Sequence, residues 1–526
     1  MEHMKELYSQ LAHVAGKYKE KTAFVDGGKR VSYAQLLHYS DRAADMFWQL
    51  GIRKGDNVAI VLRNSLEFVI SYFGLAKLGA VSVPINFMIS KEDEIVYILE
   101  NSKTKGVITE SDFINNYEKL PEKIKTLSFI LSSNSHTDKI HNFWSCLNHS
   151  RHHPQAKKNW ANGDDIVAIL YTSGTTGHPK GVLLTHRNLL SNARAAIDII
   201  NPGDKEVFMA LLPMFHTLCW TANVIIPIVL GAKTLIIKNI TPPKPWLTAM
   251  GKEGVTIMIA VPQIYSVLAK EAKGFKKIFL KYWAFRKVWL AVSGAAPLSK
   301  TIQHAFGKAF NIQICEGYGL TETSPVVTIT PPKKIKHGSV GRALPGVKIK
   351  VVDEAGNVLK SGQPGEICVL GPNVTMGYHK NDKATGELFT GDGWLKTGDI
   401  GIIDEEGFLF IQDRKKDMVI VKGLKVFPAQ IEQVINAHPK VQESAVIGIP
   451  DNTGNETMKC FCVPRQGVTV DKTEMMAFIK NNLDAYKRPR EVEIVDSLPK
   501  NSLQKILKRE LLKKELERKM KPVYTK

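Results

Sequence analysis

Short apolar runs alternate with helix-like stretches through the first part of the chain, and this alternation restricts the fold strongly. Stretches such as LEFVISYFGLAKLG and RNLLSNARAAIDII separate several of the runs. Buried parallel strands read as near-continuous apolar runs and need crossover helices, so the pattern predicts β/α units around largely parallel sheets. The strand-like runs are Asn57 to Leu62, Asp165 to Tyr171, Ala232 to Ile237, Val255 to Val261 and Val288 to Ser293.

The pattern changes after about Pro331 to shorter strands with turns, as in VKIKVVDEAGNVLKSGQPGEICVLG, which predicts a β-rich subdomain. The charged stretch DRKKD, Asp413 to Asp417, follows FLFIQ and precedes a second mixed region. We therefore place a domain boundary there, giving domains at 1–413 and 414–526. The predicted fold is α/β and α+β: a large N-terminal domain of parallel α/β sheets with a β-rich subdomain, and a small α+β C-terminal domain.

The charge of the chain indicates anionic partners. Its 526 residues carry a formal net charge of +20 at pH 7, and the basic excess is strongest after Arg414. Charge alone does not decide between nucleic acid, a membrane surface and small phosphates. The tail from Lys505 to Lys526 predicts an amphipathic helix, packed on its own domain in preference to lying on a membrane.

Targeting signals and cysteine chemistry add little to the prediction of function. The N-terminal segment lacks the apolar core of a signal peptide, and we find no charge-free apolar run that could span a bilayer, so we expect a cytoplasmic protein. The six scattered cysteines are expected to be reduced, structural thiols. Even the closest pair, in CFC, lacks the two-residue gap of redox and zinc motifs.

The stretch YTSGTTGHPKG, from Tyr171 to Gly181, has the composition of a phosphate-binding loop. Glycines allow a ligand to approach the backbone closely, and hydroxyls add hydrogen-bond donors to the exposed amides. The familiar nucleotide loop places Ser or Thr after Gly-Lys, whereas here Pro179 precedes Lys180 and Gly181 follows it. The stretch therefore predicts a phosphate loop of another kind, with a plain turn as the alternative.

Further motifs offer the remaining groups that ATP needs. EGYGLTET, Glu316 to Thr323, follows the strand-like NIQIC and places a ring, hydroxyls and an acid at the carboxyl end of a strand. GWLKTGD, Gly393 to Asp399, supplies a carboxylate, and DRKKD supplies an arginine. PKNSLQKILKREL, Pro499 to Leu511, places Lys505 among apolar residues.

Taken together and in this order, the motifs resemble those of the adenylate-forming superfamily, which contains acyl-CoA synthetases, firefly luciferase and peptide-synthetase adenylation domains. The resemblance covers nearly the whole chain and is strongest to fatty-acid CoA ligases. It implies ATP, Mg²⁺ and coenzyme A as cofactors. It also implies an AMP-binding and acyl-binding domain at 1–413, and a small mobile domain at 414–526 that carries a catalytic lysine.

The resemblance assigns a role to each motif. The loop that holds the ATP phosphates would comprise Thr172, Ser173, Gly174, Thr175, Thr176, Gly177 and Lys180. The adenine and acyl sites would be lined by Gly294, Ala295 and Ala296 of SGAAP. Gly317, Tyr318 and Gly319 would bind the nucleotide, with Tyr318 stacked on adenine. Thr321 would contact the α-phosphate, Glu322 would bind Mg²⁺, and Asp399 and Arg414 would bind the ribose. His216 would lie near the acyl carboxylate, and Lys505 matches the catalytic lysine.

The implied mechanism has two half-reactions separated by a rotation of the small domain. Lys416 matches the hinge, and Gly423 lies in the strand that would face the thiol channel. Two positions depart from the usual pattern. Gln504 stands where glycine normally precedes the lysine, and Gln430 stands where glutamate is usual.

The segments expected to line the acyl pocket, TLCWTANVIIPIVLG, AVPQIYSVL and SGAAPL, are apolar and lack an obvious cation. They favour a medium- or long-chain fatty acid, with an aryl acid as the alternative and a carrier-protein thiol as an alternative acceptor. A non-catalytic nucleotide-binding scaffold is disfavoured because Lys505 and Glu322 are both present. Nucleic-acid binding is disfavoured because the sequence contains no recognisable nucleic-acid-binding motif. Contact with an anionic membrane and a monomeric or homodimeric state stay open.

Overall fold

The computed structural model describes residues 4–137, 140–172, 178–421, 424–450, 456–500 and 505–520. Ser173 to Gly177 of the predicted phosphate loop, Gly423 and Gln504 lie outside these residues. Among the described helices, none is both long enough and apolar enough to cross a bilayer.

A seven-stranded sheet forms the first layer of the large domain. All neighbouring strands pair in parallel except the last two, which form a hairpin. Its strands are β3 (Asn57–Val61), β4 (Val81–Pro84), β5 (Thr104–Thr109), β6 (Phe129–Ser132), β7 (His141–Asn142), β8 (Ile166–Thr172) and β9 (Lys180–Thr185), in the order β7-β6-β5-β3-β4-β8-β9. Its helices are α3 (Leu66–Lys77), α4 (Glu92–Asn101), α5 (Leu120–Lys123), α6 (Phe143–His149) and α7 (His186–Ile200).

A nine-stranded sheet forms the second layer and is parallel through its centre. Its strands are β1 (Thr22–Asp26), β2 (Lys29–Ser32), β10 (Val207–Ala210), β11 (Lys233–Ile236), β12 (Ile257–Ala260), β13 (Leu290–Ser293), β14 (Ile314–Gly319), β15 (Val326–Ile329) and β16 (Arg342–Ala343). The order is β16-β15-β14-β13-β12-β10-β11-β1-β2. Its helices are α1 (Leu7–Lys17), α2 (Tyr33–Gln49), α8 (Thr217–Trp220), α9 (Ile226–Leu230), α10 (Pro243–Glu253), α11 (Pro262–Glu271), α12 (Gly274–Phe279) and α13 (Lys300–Phe310).

A smaller antiparallel sheet and the C-terminal region complete the chain. The sheet contains β17 (Lys348–Val352), β18 (Gly365–Leu370), β19 (Leu395–Ile403) and β20 (Leu409–Arg414), with α14 (Asp382–Leu388) before β19. The C-terminal region contains the hairpin β21 (Val419–Val421) and β22 (Leu424–Val426), and a sheet of β23 (Val441–Pro450), β24 (Glu456–Pro464) and β25 (Glu491–Ile494). Its helices are α15 (Pro428–Ile435), α16 (Lys472–Asn482) and α17 (Lys508–Met520).

This architecture confirms the predicted fold class. All five predicted apolar runs contain strands, the two predicted helical stretches are α3 and α7, and the β-rich subdomain is the sheet β17 to β20. In the tail, Leu511 of α17 is buried against β23, so the described part of this helix packs on its own domain. The six cysteines carry free thiols, and all but Cys146 are buried. The boundary placed at 413/414 falls at the end of β20 and stays a prediction.

Two close contacts join the layers of the large domain. α2 and α3 approach so closely at Gly74 that a Cβ there would lie 2.6 Å from the Cβ of Ala43. The buried Asn64, which follows β3 in the first sheet, donates to the carbonyl oxygen of Leu212 at 2.8 Å and accepts from the backbone N–H of Met214 at 2.7 Å. Asn64 thereby fixes the segment that leads into His216 from the second sheet.

Candidate active site

A cavity of about 660 Å³ lies where the ends of both large sheets meet the C-terminal region. It brings together most of the residues singled out in the sequence. Those that line it are Thr172, Lys180, His216, Gly294, Ala295, Gly317, Tyr318, Gly319, Thr321, Glu322, Asp399, Arg414, Lys416 and Lys505. Ala296 is not among the described lining residues, although Gly294 and Ala295, which precede it in SGAAP, are.

A tyrosine, a carboxylate and a guanidinium form one cluster in the cavity wall. Tyr318 lies on β14, and its Oη donates to Oδ2 of Asp399 at 2.7 Å. Asp399 and Arg414 are directly paired residues of β19 and β20, and Arg414 Nε lies 3.8 Å from Asp399 Oδ1. Burial raises the pKa of the Asp399 carboxyl, while Arg414 opposes this rise. The sheet register therefore places a carboxylate and a cation beside one aromatic ring.

Lys505 reaches the same cluster from the C-terminal region. Desolvation is the main cause that lowers its pKa to about 8, with repulsion from Arg414 adding to it, while Asp399 attracts the ammonium. Lys416, in the short turn after β20, has a lowered pKa for the same two reasons, burial first and Arg414 second. The predicted hinge residue thus also lines the cavity. Together these groups make this part of the cavity rich in cations.

The predicted phosphate-loop residues that the structure describes lie opposite each other. Thr172 ends β8 and Lys180 begins β9, and the two are paired in the hairpin. Lys180 Nζ lies 5.1 Å from the ring centroid of Tyr378. The hairpin therefore places a hydroxyl and an ammonium at the two ends of the loop.

Tyr378 is a site residue that the sequence analysis missed. Its Oη donates to Oε1 of Glu322 at 2.8 Å, and its backbone pairs with Val182 of β9. The Glu322 carbonyl oxygen also accepts from the N–H of Thr375 at 2.8 Å. Tyr378 fixes the carboxylate that the resemblance assigns to Mg²⁺. Its sequence signal is weak, since a Gly-Tyr pair in a polar loop does not reveal a partner 56 residues away.

The residues present fit a magnesium site completed by substrate. Mg²⁺ at nucleotide sites is held by one or two carboxylates, phosphate oxygens and waters. Glu322 offers one partly exposed carboxylate at the cavity wall, with one oxygen already oriented by Tyr378. Within the described residues, no group of three or more His, Cys, Asp or Glu side chains could hold a metal by itself.

His216 lies between the polar and apolar parts of the lining, at the N-cap of α8. Its ring centroid is 4.3 Å from that of Phe215. Desolvation lowers the pKa of His216 to about 4, so the imidazole is neutral at pH 7. A neutral imidazole can donate a hydrogen bond to a carboxylate without carrying charge.

Beyond His216 the cavity wall is apolar. Leu218, Ala222 and Ile226 come from the predicted segment TLCWTANVIIPIVLG, and Leu290 and Val292 lie on β13 just before SGAAPL. In contrast, α11 of the predicted AVPQIYSVL packs on the other face of the sheet, and β12 lines the cavity instead. α7 was not predicted to contribute. The apolar lining includes Ala196, Ile197, Ile200, Pro202, Phe208, Leu218, Ala222, Ile226, Ile257, Ile259, Leu290 and Val292.

Comparisons with known proteins match this arrangement. Residues 11–379 match the family described as AMP-binding enzyme, and residues 430–505 match its C-terminal domain. The protein named long-chain-fatty-acid–CoA ligase in Salmonella typhimurium is 33% identical over 530 residues, covering 95% of this chain and 92% of the relative.

Two solved structures share the fold over nearly their whole length. ATP-bound MatB from Rhodopseudomonas palustris has a TM-score of 0.88 at 30% identity, with 97% of this chain and 99% of that chain covered. The anthranilate CoA ligase AuaEII in complex with anthranoyl-AMP has a TM-score of 0.88 at 26% identity, with 97% of each chain covered. The family matches and these neighbours confirm the resemblance, and the chain belongs to the adenylate-forming AMP-binding enzymes as an AMP-forming acid–thiol ligase that uses ATP, Mg²⁺ and coenzyme A.

Proposed function

We propose that the acid substrate of this acyl-CoA ligase is a medium- or long-chain fatty acid. The observation that carries the proposal is the apolar part of the cavity beyond His216, which α7, β12 and β13 line with aliphatic side chains and to which they contribute no charged group. A second charge on the substrate would be buried there without a partner, at a large free-energy cost. The relative from Salmonella typhimurium named long-chain-fatty-acid–CoA ligase supports the same choice.

The first half-reaction joins the acid to AMP. A carboxylate oxygen attacks the α-phosphorus of ATP in line, an acyl-AMP forms, and pyrophosphate leaves. Lys505, with Thr321 and Lys180, offsets the negative charge that gathers at the phosphates, while Tyr318, Asp399 and Arg414 hold the nucleoside. Glu322 would hold Mg²⁺, and the bound ion would supply further charge neutralisation. Neutral His216 orients the acid without pairing a permanent charge with it.

The second half-reaction transfers the acyl group to sulfur. The coenzyme A thiolate attacks the carbonyl carbon of acyl-AMP, the thioester forms, and AMP leaves. Lys505 lines the cavity in this structure, which is the arrangement needed for the first half-reaction. We propose that a rotation about Lys416 withdraws Lys505 and brings the segment containing Gly423 to the site, so one cavity serves both steps.

An aryl acid is the second candidate. The neighbour AuaEII is described as an anthranilate CoA ligase and has the same TM-score as MatB. An apolar cavity of this size accommodates a ring as well as a chain. The two candidates predict different effects of acid chain length on the rate of product formation.

The discriminating experiment is mass spectrometry of products after incubation with ATP, Mg²⁺, coenzyme A and a mixture of straight-chain fatty acids and aryl acids. We expect acyl-CoA from the longer fatty acids, together with AMP. A product derived mainly from cinnamate or anthranilate would replace the fatty acid with an aryl substrate. Acyl-AMP that persists despite coenzyme A would indicate a carrier-protein acceptor.

Replacing the proposed catalytic lysine should separate the two half-reactions. Lys505→Ala is expected to lower adenylation, measured as exchange of pyrophosphate into ATP, by at least about 100-fold, because a charge-stabilising group is lost. Thioester formation from supplied acyl-AMP should stay within about threefold of wild type. Lys513→Ala, an exposed lysine of α17, is the control. Equal loss of both half-reactions in Lys505→Ala would contradict the assignment.

The pH dependence of adenylation should report the same lysine. Because the pKa of Lys505 is lowered to about 8, the ammonium is present below this pH and is lost above it. We expect kcat/KM for ATP in the exchange assay to fall above about pH 8, approaching tenfold per pH unit. Lys505→Arg should shift this loss to higher pH, since a guanidinium stays protonated. If both proteins lose activity over the same range, another group titrates.

Removing the hydroxyl that orients Glu322 should lower the apparent affinity for Mg²⁺ in the adenylation reaction. Tyr378→Phe is expected to raise the Mg²⁺ concentration for half-maximal adenylation by about tenfold, because the carboxylate loses its positioning hydrogen bond. Tyr8→Phe is the matched control, as it removes a tyrosine–carboxylate hydrogen bond to Asp41 away from the cavity. An unchanged Mg²⁺ requirement in Tyr378→Phe would show that Glu322 does not depend on this contact.

A further inference from the structure

Large exposed apolar side chains cluster on one helix that lies outside the cavity. α12 continues through a π turn at Leu280–Ala284, so 274–284 form one helical segment. Ile278 and Tyr282 are 56% and 67% exposed, and Phe279 and Trp283 are 39% exposed. The spacing of these four residues places them on one side of the helix, while Leu280 and Ala284 are buried on the other.

Basic side chains flank this apolar face. Between 270 and 287 the sequence has seven Lys or Arg and a single acid, Glu271, which pairs with Lys276. Lys281 Nζ lies 5.5 Å from the ring centroid of Tyr282, and Arg286 Cζ lies 5.1 Å from that of Trp283. We call Ile278, Phe279, Tyr282, Trp283 and the flanking cations Lys273, Lys276, Lys277, Lys281, Arg286 and Lys287 the aromatic–basic patch.

The helix under the patch is held firmly on the large domain. The ring of Trp283 lies against Gly251 of α10, where a Cβ would come within 2.3 Å of its Nε1. Arg286 donates to the carbonyl oxygen of Gly251 at 3.0 Å. Leu280, Ala284 and Phe285 are buried in the core below. The exposed rings therefore sit on a packed support instead of on a loose segment.

We propose that the aromatic–basic patch is a docking surface for an anionic lipid bilayer. Trp and Tyr favour the headgroup region, where the ring is partly buried and the polar atom stays hydrated. An apolar helix face with flanking Lys and Arg binds in the plane of the interface and is attracted to anionic lipids. A second copy of the patch would instead bring like charges together, which disfavours self-association through it.

The position of the patch is compatible with catalysis on a bilayer. On β12 and β13, Ile257, Ile259 and Val292 face the cavity, while Met258 and Ala291 face the core that carries the patch helix. The patch and the apolar part of the cavity thus lie on opposite faces of the same strands. Docking through the patch does not cover the cavity wall, and the inference does not depend on which acid is the substrate.

The test is flotation of the full chain with vesicles that contain no fatty acid. The vesicles are made of phosphatidylcholine alone or of phosphatidylcholine mixed with phosphatidylglycerol. We expect wild type to float with the anionic vesicles only, and high salt to weaken this binding. Two double variants disrupt the patch. Ile278→Ser with Tyr282→Ser removes its two most exposed apolar side chains, and Lys277→Glu with Lys281→Glu reverses two of its positive charges. Each should weaken binding by at least about tenfold.

Matched controls change equivalent residues elsewhere. Val358→Ser with Tyr486→Ser replaces exposed side chains outside the patch, and Lys513→Glu with Lys514→Glu reverses charge on α17. Both should bind vesicles like wild type. Ligase activity on a water-soluble acid without vesicles should be the same in all variants, which shows that they are folded.

Four results would overturn the proposal. Wild type could fail to float with anionic vesicles, or the patch variants could float as well as wild type. Alternatively, binding could be lost in the α17 variant and kept in the patch variants, which would assign lipid contact to the tail. Self-association that disappears only in the patch variants, without vesicle binding, would assign the surface to contacts between copies of the chain.

Discussion

The active site depends on how one buried carboxylate is surrounded by cations. Asp399 is 7% exposed and faces Arg414, Lys505 and Lys416, which come from β20, the C-terminal region and the turn between them. The cations outnumber the nearby acids, so they repel one another, and this repulsion adds to burial in lowering the pKa of both lysines. A polyanion such as a triphosphate relieves that repulsion. The same charges that make the cluster unfavourable by itself therefore favour nucleotide binding and draw the C-terminal region onto the large domain.

Side-chain hydrogen bonds join the C-terminal region to the end of β20. The N–H of Ala429 donates to Asp413 Oδ2 at 2.8 Å, and Gln430 Nε2 donates to Gln412 Oε1 at 2.7 Å. Gln430 is the position where the family normally has glutamate, and here its amide makes a neutral contact with β20. Polar contacts of this kind can be exchanged for water at little cost, whereas an apolar interface would resist separation. The interface thus suits the rotation proposed between the two half-reactions.

Much of the fold could be predicted from the sequence because buried parallel strands need apolar runs, and those runs were read directly. The carboxyl end of a strand also indicated the position of Tyr318 from the sequence. Tyr378 could not be predicted, since its role depends on a hydrogen bond to Glu322 across two distant loops. The contribution of α7 to the cavity was missed because Ile197 and Ile200 read as ordinary core residues. The pocket role expected for AVPQIYSVL was wrong for α11, because helix placement above or below a sheet is set by chain crossover and not by apolar composition.

The alternation of side chains along β12 separates two kinds of evolutionary change. Ile257 and Ile259 face the cavity, and Met258 and Ala260 face the core on the other side. Substitutions at the first pair can reshape the space proposed for the acid, while those at the second pair disturb packing that the whole domain shares. Substitutions at every second position of a strand can therefore change the acid substrate, while the residues that bind the nucleotide stay the same. The variety of acids among proteins of this architecture is what such a division of labour within single strands would produce.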